Sequence, residues 1–412
     1  MSRVERPAGG ARAAQRARPS ALRTTTTATL SALVATALIS AVLGGLVRTR
    51  AWSLGGVDGP GGAAGLGSAV GWAAVLAAFG DTTVTVLGRA ALAHAALVIS
   101  AFLGTAIGVE RAVAIRQPWA FAAPLCSGLA GLCLLAGQTS LAAGLFVLAA
   151  LVFIAVNIVV VLRQREVHTV LLLLGAVAWS TGNVLFATSP YSAASLPWWF
   201  AFLILTIAAE RLEMTRLMAR LTHAGIALLA VVFTLMAGAV IGLWLPGLGG
   251  VIFGLALTAL AIWFALFDIA RRTVRMRGMS RYMAVCLLVG YAWLAVAGIA
   301  WLGTAASCPG RDMALHALGL GFVMSMIMGH APVILPAVAR VKLLFGAWFY
   351  VPLVCLHASL VFRLFWGMAE PAWLSLGASL NAASLLLFVL TMIGSAIAWR
   401  VQHPVRLAPA AG

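Results

Sequence analysis

Polar residues in this chain come in short clusters, and the stretches between them are almost wholly apolar. Runs of about 20 apolar residues, long enough for a helix to cross a bilayer, recur along its length. The first is Ala28 to Val47. A glycine-rich stretch follows, Gly55 to Gly67, and then a short apolar piece, Val70 to Phe79. That piece is too short to span and is expected to be interfacial or re-entrant. Further runs lie at Val84–Val109, Trp119–Gly137, Leu141–Leu162, Val170–Thr188 and Leu196–Ala209. They continue at Gly225–Leu245, Leu248–Phe267, Tyr282–Gly303, Met313–Leu335, Phe345–Phe362 and Trp373–Trp399. The sixth run is the shortest, and Trp198 and Trp199 are expected at its interface. The pattern predicts an all-α, polytopic membrane bundle of about twelve transmembrane helices over residues 25–400. A basic, disordered tail at 1–24 and a second tail at 401–412 flank it.

Composition agrees with that reading. The 412 residues are 63% hydrophobic and only 9% charged, against roughly a quarter charged in soluble domains. Too few charges remain to cover a water-facing surface, which excludes secreted enzymes and soluble nucleic-acid binders. The lipid bilayer, not nucleic acid, is the partner implied.

The net charge of +17 reports orientation. With the amino terminus inside, 22 of the 27 basic residues face the cytoplasm, and only Arg48, Arg50, Arg89, Arg311 and Arg363 lie outside. That is the asymmetry of the positive-inside rule. A multi-pass protein of a bacterial cytoplasmic membrane, both termini cytoplasmic, is expected. A signal peptide is the competing reading of the start, but no small-residue cleavage site precedes Arg48. The five cysteines show no CxxC or CxxCH spacing, so neither a disulfide framework nor covalent haem attachment is indicated.

Ionisable side chains are costly in lipid and mark functional sites or buried pairs. Four of the seven histidines lie within runs: His94 in the second, His316 and His330 in the tenth, His357 in the eleventh. His168 and His223 sit at helix edges and His403 in the tail. Counting 1.5 Å per residue, His94 is roughly 24 Å from Glu110 at the inner edge. His316 is about 6 Å from Asp312, and His357 about 9 Å from Arg363, both measured from the outer side. Three helices thus bring an imidazole to one depth, the outer third of the bilayer. Imidazole is the commonest ligand for transition metals and haem iron, so His94, His316 and His357 are candidate haem b ligands. His330, roughly 21 Å deeper than His316 and on the same face by α-helical counting, suits a second metal site or a proton relay. The bland alternative is that these histidines hydrogen-bond neighbouring helices.

Met324, Met326 and Met328 suit copper(I) by softness, or core packing. Glu110–Arg111 and Glu210–Arg211 are expected as solvated pairs at helix ends, and Asn157, Asn183 and Asn381 as links between helices. No Walker A, GxSxG or HExxH motif is present.

The segment from His316 through Leu318-Gly319-Leu320-Gly321 to Gly329-His330-Ala331-Pro332 resembles the tenth span of the NnrS family. Those are haem- and copper-containing membrane proteins linked to nitric oxide stress. It is more distantly similar to subunit I of haem–copper oxidases. The resemblance implies haem b on His94 and His316, with His357 as alternative or second ligand, copper as a further candidate, and a role in nitric oxide response or electron transfer with an electron donor still to be named. The sixth and seventh spans lack the histidines of an oxidase copper centre. A proton-coupled secondary transporter using His316 and His330 is the alternative, and a non-catalytic assembly factor a third.

Overall fold

In the computed structural model, residues 21–49, 81–215, 222–305, 310–339 and 341–403 are described. Residues 1–20 of the tail expected at 1–24, the piece Val70 to Phe79 and the last nine residues lie outside them, whereas residues 21–24 belong to the helix Ala21–Arg48. No strand occurs among the described residues, and twelve helices are long and apolar enough to cross a membrane. They are α1 (Ala28–Arg48), α2 (His94–Ile115), α3 (Pro118–Leu135), α4 (Thr139–Arg163), α5 (Val167–Thr188) and α6 (Ser195–Met214). The second six are α7 (His223–Ile241), α8 (Pro246–Phe267), α9 (Met279–Ala305), α10 (Arg311–Pro336), α11 (Ala347–Trp366) and α12 (Pro371–Gln402). A helix at Asp81–Leu92 runs into α2, its backbone bonding carried across Ala93. All twelve apolar runs therefore become helices, and the chain is a multi-pass membrane protein.

Consecutive helices pack side by side, as short connections require. Outer faces stay apolar: Leu141, Leu148, Leu151, Ile158 and Leu162 line one exposed stripe of α4. In water such a surface would aggregate, whereas lipid solvates it. α6 is the central element, with 72% of its residues enclosed against 22% for the peripheral α12. Trp198 and Trp199, near its start, are buried against neighbouring helices. Trp199 Nε1 donates to Asn183 Oδ1 at 2.9 Å, and Ser100 Oγ donates to the same oxygen at 2.9 Å. Asn183 thus links three helices, the role expected of it.

Three helices depart from α geometry. α2 widens to a π-helix at Leu97–Leu103, α10 at Ala317–Val323, and α11 at Phe362–Trp366. Such turns accommodate an extra residue and occur preferentially at functional sites. The first begins three residues after His94, the second directly after His316, and the third contains Arg363. Gly321 permits the second, because a Cβ there would lie 2.5 Å from the Trp293 ring.

Candidate cofactor site

Two of the expected ligands meet. The His94 and His316 ring centroids are 6.5 Å apart, with ring planes inclined by 26°. His94 Nδ1 donates to the Ala41 carbonyl of α1 at 2.8 Å. His316 Nδ1 lies 2.9 Å from the Asp312 carbonyl and 3.0 Å from the Asp312 carboxylate. Oxygen acceptors on both Nδ1 atoms select the tautomer with its lone pair on Nε2.

Arg363 completes the arrangement. Its Nε and Nη2 donate to the two carboxylate oxygens of Asp312 at 3.1 and 2.8 Å, a bidentate pair. Nη2 also reaches His316 Nε2 at 3.1 Å. One turn after Ala41 in α1, Gly45 makes room for the other ring: a Cβ would stand 2.9 Å from His94 Cε1.

The rings border a cavity of about 510 Å³ lined by α1, α2, α5, α6, α10, α11 and α12. That volume lies within the range of small-molecule and cofactor sites, roughly 300–1,000 Å³. Its wall is mostly apolar, with Arg48, Arg311, Asp312, Arg363 and Asn381 among its polar members.

The centroid separation is comparable to that of two imidazoles sharing one metal, although His316 Nε2 is bonded here to Arg363. With each Nε2 about 2.0–2.1 Å from the metal, the ring centroids would be roughly 6 Å apart. Metal-ligating histidines almost always tie the other ring nitrogen to a carbonyl or carboxylate, as both do here. Among the described residues no three His, Cys, Asp or Glu side chains form a ligand group. Haem needs only two axial ligands from the protein, so a pair suffices for it.

The other histidines lie elsewhere. His357 accepts from Trp293 Nε1 at 3.0 Å and does not line the cavity. Its Nε2 is buried without a hydrogen-bond partner among the described residues. His330 belongs to a second group at the opposite end of α10, bonded to Arg211. His168 is buried 4.0 Å from Glu213, and His403 stacks on Trp399. Of the three methionines only Met324 lines the cavity, while Met326 and Met328 pack in the core.

Residues 62–397 match a family described as a domain of unknown function, DUF8744. The chain belongs to the DUF8744 family. The matched DUF8744 region contains His94, His316 and Arg363, whereas α1, which supplies Ala41 and Gly45, precedes it. No curated protein and no solved structure matches the chain.

Sequence reasoning treated Asp312 and Arg363 only as markers of depth. Their presence beside apolar runs signalled a buried pair, but not that it would grip a histidine.

Proposed function

We propose that this DUF8744 protein binds haem b between His94 and His316 and carries electrons within the bacterial cytoplasmic membrane. The observation that carries the reading is the imidazole pair, 6.5 Å between centroids, on two helices beside a largely apolar cavity. Bound haem would supply a one-electron couple. Two axial histidines leave no open position on the iron, which favours electron transfer over gas binding and makes nitric oxide response the secondary role. The resemblance to the NnrS family points the same way, with copper a further candidate on His357.

The protein's own residues orient and tune. Ala41 and Asp312 fix ring rotation and raise the basicity of Nε2. Arg363, released from His316 Nε2, would keep its grip on Asp312 and hold positive charge at the cavity wall, where it opposes oxidation of the iron. The arginine asymmetry supports both termini in the cytoplasm, which puts this cavity in the outer half of the membrane.

Purification from haem-replete cells, followed by oxidised and reduced visible spectra, tests the reading. A Soret band lost or shifted in His94→Ala and His316→Ala, and kept in His330→Ala, is expected. Absence of any Soret band from folded wild-type protein would overturn it.

A further inference from the structure

A second polar group lies at the far end of the helices that carry the cavity. In α2, Glu110 is roughly 24 Å along the axis from His94, and in α10 His330 is about 20 Å from His316. Arg111 Nη2 donates to Glu210 Oε1 at 3.1 Å and stands 3.8 Å from Glu110 Oε1. Its neighbour in the group, Arg211, is 5% exposed and donates from Nη2 to His330 Nε2 at 2.8 Å. His330 Nδ1 in turn donates to the Met326 carbonyl at 2.6 Å. Asp268, directly after α8 and 1% exposed, accepts from the Ala270 N–H at 2.7 Å. Its carboxylate lies within charge range of Arg211 and His330 and faces the Tyr291 hydroxyl of α9. Glu110 is within charge range of His330 and Glu210. At the rim, Glu213 is 49% exposed in its side chain, and buried His168 of α5 stands 4.0 Å from it. None of the inner residues lines the cofactor cavity.

Charge balance decides what the group does. Glu110, Glu210 and Asp268 contribute three negative charges, Arg111 and Arg211 two positive ones. His330 is neutral, because its Nδ1–H is donated to a carbonyl and its Nε2 accepts from a guanidinium. Among the described residues one negative charge is left over. Glu110 and Glu210 keep 32% and 28% of their side-chain surface exposed, whereas Asp268 is 1% exposed and its Oδ2 has no hydrogen-bond partner among the described residues. An uncompensated charge there is expensive, and the group takes up a proton instead. Arg211 Nε, buried and without a partner among the described residues, leaves the positive side incompletely used as well.

We infer that Glu110, Glu210, Asp268, Arg111, Arg211 and His330 form a site, enclosed at Asp268 and Arg211 and partly exposed at Glu110 and Glu210, that holds a single exchangeable proton. An oxygen lone pair of Asp268 or Glu110, or His330 Nε2 once Arg211 turns away, takes the proton from bulk water. An O–H bond of hydronium breaks to leave water, one O–H or N–H bond forms on the group, and the group goes from one negative charge to neutral. Half-exposed Glu213 is the entry from solvent. The inference does not depend on the haem reading, since no residue is shared and no cofactor is needed for the test.

Full-length protein in liposomes, with ¹³C-carboxyl Asp and Glu and ¹⁵N-His labels, gives the count by solid-state NMR at about pH 7. Expected is one proton in the wild type, as a protonated carboxyl or as imidazolium at His330. Asp268→Asn and Glu110→Gln each remove one negative charge and should each take the count from one to none. Arg211→Gln should raise it to two, while Arg211→Lys and Asp268→Glu should leave it at one. Monodisperse gel filtration identifies the variants that fold, and the two amide variants lie on different elements, so either one serves. Three ionised carboxylates with neutral His330 in the wild type would overturn the inference. So would a proton that survives both amide substitutions.

Discussion

The two ends of α2 and α10 have the same backbone design and opposite chemistry. Each helix gives a histidine to the cavity end and charged or titratable residues to the charged end, with a seven-residue π segment between them. At the cavity end there are two neutral rings, one bidentate ion pair and open volume. The charged end has three carboxylates and two guanidiniums packed against one histidine. An open apolar cavity with a few fixed polar atoms suits a large, flat ligand. A crowded group of charges excludes such a ligand and can accept only something as small as a proton. The difference teaches that histidine alone does not define a site in a membrane, because its neighbours decide what it can hold.

The largest effects should come from the imidazole pair. His94→Ala or His316→Ala removes an axial ligand that nothing nearby replaces, so the haem spectrum should change from low-spin to high-spin or vanish. His330→Ala should leave the spectrum unchanged. A spectrum that responded equally to His330→Ala would erase the distinction between the two ends.

Arg363→Gln sharpens the comparison from the other side. It strips Asp312 of its bidentate partner and leaves a half-buried carboxylate against His316. A loss of about 2 kcal/mol is expected for a partly buried pair broken on one side. Thermal unfolding in detergent should report it as a fall of a few degrees. Arg211→Gln breaks a more enclosed group and should cost at least as much.

A smaller effect is expected at Gly45. Gly45→Val pushes a methyl-bearing Cβ toward His94 Cε1, so the ring must turn while keeping its bond to Ala41. The Soret maximum should shift with most of the haem retained. Complete haem loss would show that His94 has no latitude.

The smallest effect concerns pH and Asp268. Burial raises its pKa above the ordinary 3.8, against the pull of Arg211 and the Ala270 N–H. A carboxyl that binds its proton more tightly when folded stabilises the fold below the unfolded value. That contribution is lost as pH rises through the folded value. Wild-type stability should therefore fall as pH climbs from about 3.8 through that raised value. Asp268→Asn should flatten this slope. Thermal midpoints across that range distinguish the two.

Much of this was legible in the sequence, and the part that was not has a common cause. The twelve spans follow from apolar runs, because length alone fixes whether a helix can cross. Counting residues from charged ends gave depth, and depth brought His94 and His316 together. It placed His357 at the same height, but height says nothing about direction around the helix axis, and that ring faces Trp293 instead. Direction was unreadable because α2 and α10 are apolar on every side, so a π turn disturbs no visible stripe. The same turn invalidates the α-helical angle count that put His316 and His330 on one face. Glu110–Arg111 and Glu210–Arg211 read as local solvated pairs, yet Arg111 bonds Glu210 across helices and Arg211 is buried on His330. Sequence neighbours are visible from the chain, whereas partners on another helix are not.

The π segments make the length of α2 and α10 a fixed count. Removing one residue from Leu97–Leu103 would restore a regular α-helix and improve its backbone bonding. It would also rotate one end against the other by about 100°, so that either His94 leaves the cavity or Glu110 leaves the charged group. Insertions and deletions there act like frameshifts in a gear train, leaving every tooth intact and none in mesh. A more regular helix in this position would be a more stable part and a useless one.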